Sequence, residues 1–288
     1  LAGPLFMLSA ALLFTLLNVL IKTLGPQYTD WHIGFYRFFG VAAVLMLVLG
    51  RHRNPYKCNN PRLLIIRGCV GSVAFICLVT AVRLLPVSTA LVIFYSFPVF
   101  SALFSFLLYG ERIGVLEVAC MVLVGLGIAV LFDFELAGGR LGQVIAVVGA
   151  VFAGLTVTLI RTLRLINGPV IIYLYFCTMG TIVVLPKFAF NPVWPVTVAD
   201  GAMVLGIVLS SVTAQLLMNQ GFFYCRGWEG GVFMSSEVIF TAIVGIVFLG
   251  DPVSWRFWTG GLLIFASGVA LNRLKTGRSK LRPAGSSP

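Results

Sequence analysis

Apolar runs of about twenty residues follow one another along nearly the whole chain, at about 4–24, 31–50, 63–83, 87–109, 114–132, 140–161, 168–190, 199–223, 228–249 and 253–273. A bilayer-spanning helix needs roughly 20 apolar residues at 1.5 Å each. Each run is therefore long enough to span, and Gly, Pro and charged residues punctuate the series. The connections are short and leave no room for a soluble catalytic domain. Composition agrees: 59% of the 288 residues are hydrophobic and 10% are charged, with a mean hydropathy of +1.04. A soluble domain carries about 25% charged residues. Too little polar surface exists to cover a soluble globule, so lipid is the expected solvent.

The net charge is +11 and the pI about 9.8. In a soluble protein this balance would suggest nucleic acid. Here the basic residues lie mostly between runs and read as topology signals, with no nucleic-acid partner expected. Lys and Arg favour cytoplasmic loops. Arg51, Arg53, Lys57, Arg62, Arg112, Arg161, Arg164, Arg226 and the basic segment from Arg273 to Arg282 fall on the side that holds both termini. Lys22, Arg83, Arg140, Lys187 and Arg256 fall on the other. Both termini are thus expected in the cytoplasm, with 274–288 as a basic, polar tail. The first run lacks a charged leader and a small-residue cleavage site, and reads as a retained helix rather than a signal peptide. The six cysteines show no CxxC spacing, and two histidines far apart cannot complete a metal cluster. Neither a metal nor a cofactor is expected.

One passage is written twice. From Leu91 the chain reads LVIFYSFPVFSALFSFLLYGE, and 140 residues later, from Gly231, GVFMSSEVIFTAIVGIVFLGD. Val92/Val232, Ser96/Ser236, Phe100/Phe240, Ala102/Ala242 and Gly110/Gly250 are identical, and Glu111 and Asp251 share charge. The first copy is span four and the second span nine, each followed by one more span. The sequence therefore predicts an all-α integral membrane protein with ten transmembrane helices in two five-helix repeats, residues 3–132 and 139–273. An odd-numbered unit re-enters the membrane from the opposite side, so the repeats are inverted. Inverted repeats that form a midplane site and rock to expose it alternately are a transporter architecture.

The chain resembles the drug/metabolite transporter superfamily, EamA type, over about residues 3–272. The residues that carry the resemblance are YRFFGVAAVLML on span two, RGCVGSVAFICLVTAVRLLPVSTALVIFYSFPVFSALFSFLLYGE on spans three and four, and SSEVIFTAIVGIVFLGD on span nine. The resemblance implies a ten-helix carrier of small metabolites in the bacterial inner membrane, often an exporter, with a central cavity. Family members often have Glu-Pro in span nine. Here Val238 follows Glu237, which leaves the bend of that span open.

Glu237 lies about nine residues into its run, or roughly 13 Å at 1.5 Å per residue, and so near the midplane. A charge there costs about 2.5 kcal/mol or more. It must face a cavity, find a partner or stay protonated. It either contacts a substrate amine or carries a proton, or it bonds a neighbouring helix for packing alone. Arg37, six residues into span two and nearer the outer face, could snorkel outward, pair with an acid or grip a substrate carboxylate with its planar fork. Arg67 reads as an interfacial anchor at the start of span three. Glu117 is also expected at an interface. Pro98 should kink span four and free the carbonyl of Phe94, towards the cavity or a hydroxyl such as Ser96.

Asn18, Gln143, Thr156, Gln215 and Asn219 are polar groups on other spans, and Gln215 and Asn219 share one helical face. Tyr36, Tyr95, Tyr173, Tyr175 and Trp228 could line a cavity or sit in interfacial belts. Gly227 with Gly231, and Ala150 with Gly154, permit close helix contact. The candidate site is therefore Glu237, Arg37, Tyr95, Ser96, Pro98, Gln215, Asn219 and Ser236, with no catalytic group.

The expected function is secondary transport of small metabolites such as amino acids or related amines, with export favoured over uptake. The chain contains no GxxxxGK[ST] string for ATP. An S-adenosylmethionine- or nucleotide-linked carrier of the same fold is the alternative. An intramembrane lipid-modifying enzyme is the alternative of another class. It would need a cluster of His, Asp, Glu or Ser near one membrane face, which the sequence does not offer. Its partners are the bilayer and a small-molecule substrate; the sequence leaves the oligomeric state open.

Overall fold

A computed structural model describes residues 2–25, 27–49, 56–84, 90, 93–110, 114–131 and 140–249, together with 255, 259, 260, 262, 263, 266, 267 and 270. Val92, Glu111, Gly250, Asp251, Arg256, the tail 274–288 and most of the tenth run lie outside the described residues, as do the side chains of Glu117 and Trp228. Every element among the described residues is a helix: α1 (Ala2–Thr23), α2 (Asp30–Leu49), α3 (Pro61–Leu84), α4 (Phe97–Tyr109), α5 (Val115–Leu131), α6 (Arg140–Leu163), α7 (Pro169–Phe190), α8 (Val198–Tyr224), α9 (Gly227–Met234) and α10 (Ser236–Leu249). These are not ten spans, because α9 and α10 divide the run at 228–249.

Among the described residues five helices are long and apolar enough to cross a membrane: those at Ala2–Ile21, Pro61–Ala81, Arg140–Leu163, Pro169–Phe190 and Val198–Tyr224. Their outer faces are as oily as their inner ones. On α1, Leu5, Leu8, Leu12 and Leu16 form an exposed stripe while Met7, Ala10, Ala11 and Leu17 are buried. Water would not tolerate such a surface on every helix; hydrocarbon does.

Helix ends follow local chemistry. Pro169 opens α7 where its missing N–H has no partner to lose. Thr197 caps α8 by accepting a hydrogen bond from the Asp200 amide at 3.0 Å. Gly110 closes α4 at φ 64°, in the left-handed region that suits glycine.

Lipid is as apolar as leucine, so helices associate by close packing rather than by escape from solvent. α1 runs along α8, and α3 along α6 and α7. α2 packs on α7 and, to a lesser extent, on α8. α4 packs on α6, while α9 and α10 pack on α1. Small residues permit these approaches. A Cβ on Gly154 would stand 2.8 Å from the Ser101 amide nitrogen and 2.9 Å from the Phe97 carbonyl oxygen, so α6 touches the backbone of α4. Gly231 sits equally close to Phe97 and Pro98.

Both copies of the repeated passage are interrupted. In the first, residues 95 and 96 form a turn before α4; in the second, Ser235 separates α9 from α10. Ser96 and Ser235 keep right-handed helical dihedrals, at φ −71°, ψ −8° and φ −60°, ψ −14°. The amides of Val99 and Val238 reach back only three residues, to the carbonyls of Ser96 and Ser235. Each interruption is therefore one tightened 3₁₀-like turn. Pro98 falls in the first turn of a new helix rather than in the middle of a bent one. The Ser96 hydroxyl bonds the Ile93 carbonyl at 2.6 Å, rather than the Phe94 carbonyl.

Candidate functional site

The interruption at Ser235 places Glu237 in the first turn of α10. The side chain is 8% exposed. Its Oε1 accepts a hydrogen bond from Asn18 Nδ2 at 2.7 Å, and its backbone carbonyl accepts a longer one from Thr15 Oγ1 at 3.4 Å. Asn18 and Thr15 are three apart and so share one face of α1. The Tyr95 hydroxyl, from the turn before α4, also donates to the carboxylate. The carboxylate thus sits where the two interrupted helices meet α1. Ser236 begins α10 half-buried beside it.

Arg37 is 7% exposed and enclosed by its neighbours, so its head does not snorkel out of the protein. Its Nε donates to Ser211 Oγ on α8 at 2.8 Å, and Tyr173 Oη on α7 lies 3.0 Å from the same Oγ. The guanidinium lies over the Phe75 ring at 4.3 Å from its centroid, a cation–π contact. Among the described residues the ion pair is Arg83–Asp30, not Arg37–Glu237. Arg67 corrects the sequence reading more sharply. It is 1% exposed, the bulkiest of the fully buried side chains, and lies over Phe176 at 4.3 Å. It is no interfacial anchor.

Gln215 and Asn219 do share a face, joined at 3.4 Å, but they serve a different cluster. Asn219 donates to the Pro169 carbonyl, and its own carbonyl accepts from Arg164 Nε at 3.0 Å. Arg164 also reaches the Asn167 carbonyl and Gln220 Oε1, each at 2.7 Å. Burial lowers the Arg164 pKa from its usual value, and the nearby Tyr224 opposes that shift. Asn167 and Asn59 exchange two bonds of 2.9 Å. This set ties the α6–α7 and α2–α3 connections and the end of α8 together. The opposite end has its own set. Arg83 pairs with Asp30 and donates to the Tyr28 carbonyl, the His32 ring bridges Thr29 and the Asn191 carbonyl, and Tyr36 donates to the Val193 carbonyl.

The structure thus brings Glu237, Tyr95 and Ser236 together, with Ser96 and Pro98 in the adjoining turn. It places Arg37 across the same interior and sends Gln215 and Asn219 to one end. The sequence reading missed Thr15, Ser211 and the burial of Arg67. Polar residues spaced three apart in an apolar run, as Thr15 and Asn18 are, were the available signal. Among the described residues no group of His, Cys, Asp and Glu could hold a metal ion.

Residues 1–133 and 140–273 match the EamA-like transporter family. Two Pseudomonas aeruginosa proteins named pseudopaline exporter CntI, from different strains, are each 26% identical over 286 residues, covering 96% of this chain and 98% of theirs. Human solute carrier family 35 member G1 is 22% identical over 283 residues, covering 93% of this chain and 78% of its own. A solved crystal structure superposes with a TM-score of 0.79 at 19% identity, covering 96% of this chain and 98% of that one, which establishes a shared fold.

Proposed function

Since the chain belongs to the EamA-like transporter family and is an integral membrane protein, we propose that it is a secondary carrier that exports small metabolites such as amino acids or related amines. It works by alternating access between two inverted five-helix halves in a bacterial inner membrane. The observation that carries this reading is the buried carboxylate of Glu237, held by Asn18 and Tyr95 where both interrupted helices meet. A buried acid in a membrane interior is costly without a task. Interrupted helices supply the polar backbone that a midplane site needs.

Support for two related halves comes from the packing. Exchanging each span with the one five places on maps the α1–α8 contact onto α6–α3, and the α4–α6 contact onto that of α9 and α10 with α1. The α2–α7 contact maps onto itself. The two end clusters supply hydrogen bonds that close each face, and alternating access breaks one set at a time. Export is the activity named for the two Pseudomonas relatives.

Counterflow of labelled amino acids and amines into proteoliposomes of the purified protein tests the reading. Accumulation against preloaded unlabelled solute is the expected result. Absence of exchange across a broad metabolite panel would overturn it.

A further inference from the structure

Arg67 is a fully buried arginine two of whose donors the described structure leaves unanswered. Its Nε and Nη1 are buried and have no hydrogen-bond partner. Arg37, by contrast, is bonded to Ser211. A buried, charged donor without an acceptor is strongly disfavoured. Several features fix it there regardless. Phe176 covers one face of the guanidinium. The adjoining Gly68 lies so close to α7 that a Cβ would come 3.0 Å from the Tyr175 carbonyl oxygen. One turn on, Gly71 borders both Phe176 and Thr156. The Thr156 hydroxyl is itself buried without a partner. Two unanswered donors, one of them cationic, therefore belong to residues that both neighbour Phe176 or the Gly71 that touches it, between α3, α6 and α7.

The two mid-protein arginines share one aromatic scaffold. Phe75 carries Arg37 and Phe176 carries Arg67, each at 4.3 Å. Phe38 packs edge-on against both rings, with centroids 5.3 and 5.1 Å away. Against these two cations the described mid-protein region sets a single acid, Glu237, and no carboxylate lies within ion-pair distance of either arginine. Arg164 and Glu229 belong to the ends of the molecule. Among the described residues this interior therefore lacks at least one negative charge. A planar guanidinium held by one face presents its edge donors to a carboxylate in fork geometry.

On the reading of this chain as a carrier, we infer that its solute is a net organic anion with more carboxylates than amines, and that one carboxylate binds Arg67 and the Thr156 hydroxyl. Arg37 and Glu237 face the rest of the solute. This narrows the amino-acid class to acidic amino acids and their polycarboxylate derivatives.

The test uses the full-length protein in lipid nanodiscs, as wild type, Arg67→Gln and Arg67→Lys. The probes are L-glutamate and citrate against L-glutamine, sodium chloride of equal ionic strength and inorganic phosphate. The two carboxylate probes should raise the thermal midpoint of the wild type, because a ligand that binds only the folded state stabilises it. Glutamine and chloride should not. Arg67→Gln should lose that shift while unfolding no earlier than the wild type without probe, since an unanswered charge has been removed. Arg67→Lys should keep part of the shift. Equal shifts with glutamine or chloride, or a shift retained in Arg67→Gln, overturn the inference. Phosphate as effective as the carboxylates overturns the assigned class.

If Arg67→Gln unfolds early, phenylglyoxal labelling of wild-type Arg67 decides. Citrate should slow the labelling, whereas an Arg67 that is never labelled, or is labelled at the same rate with citrate, refutes the site. The two readings fail separately. Anion binding without counterflow of any bound solute counts against the carrier alone. Counterflow of amines that Arg67→Gln leaves unchanged counts against the anion site alone.

Discussion

Glu237 is the acid in an interior that otherwise holds buried arginines and hydroxyls. Its donors come from two other segments, Asn18 of α1 and Tyr95 of the turn before α4. Any motion that separates those segments therefore changes its surroundings. Glu237→Gln keeps the shape and most of the hydrogen bonding but replaces one acceptor oxygen with an NH2 donor and removes the charge and its titration. The variant should reach the membrane at the wild-type level. Its transport should fall by about tenfold or more, equivalent to about 1.4 kcal/mol of lost stabilisation, or lose its dependence on pH. Glu237→Asp should retain part of the activity. Initial rates at matched protein levels across about pH 5.5–8 check this, and wild-type kinetics for Glu237→Gln would reduce the residue to a packing group.

At the scale of elements, the interruption of span nine is the instructive case. Pro98 opens α4, yet α10 opens after Ser235 with no proline. Proline is thus not required for such a break; the close packing of Gly231 on Phe97 and Pro98 joins the two interruptions. Pro98→Ala should keep the break and lower stability by only about 0.4–1 kcal/mol, through the more flexible unfolded chain. Thermal unfolding of the purified variant measures it, and a much larger loss would restore the proline as the cause.

Glycines supply a matched pair of tests. Gly154→Ala forces a Cβ against the backbone of α4 and should cost about 1–3 kcal/mol, the usual range for overpacking. Gly125 on α5 has nothing within 4 Å of the corresponding position, so Gly125→Ala should be neutral or stabilise by up to about 1 kcal/mol. Unfolding midpoints of the two variants in the same detergent compare them directly.

For the whole molecule, the arrangement of basic residues predicts a definite orientation. Lys57 and Asn191 are both exposed and lie in connections at opposite ends. A cysteine introduced at Lys57 should resist an impermeant maleimide in intact cells and react after permeabilisation. One at Asn191 should react in intact cells, and a C-terminal tag should report the cytoplasm. Labelling at position 57 in intact cells would invert the topology. The alternating access proposed above needs both ends able to open, and on that proposal the two states should differ at the Arg83–Asp30 and Arg164–Asn219 clusters.

The sequence alone determined the solvent, the helical class and the family. Run length and scarcity of charge leave few alternatives in lipid, and the residues that match the family lie in those runs. It also marked Glu237, because an acid within an apolar run stands out by its cost. It could not tell which way any side chain faces. In a soluble helix, apolar periodicity marks the buried face. Here the lipid-facing and protein-facing sides are equally apolar, so Leu5 and Met7 look alike in sequence while one is exposed and the other buried.

Only the tertiary structure therefore placed Arg67 over Phe176 instead of at an interface, joined Asn18 to Glu237 across 219 positions of sequence, and drew Asn219 into the cluster at one end. Hydrogen bonds between spans are set by helix rotation and close approach. In a bilayer those are decided by how small residues let neighbouring helices meet, which no single helix encodes.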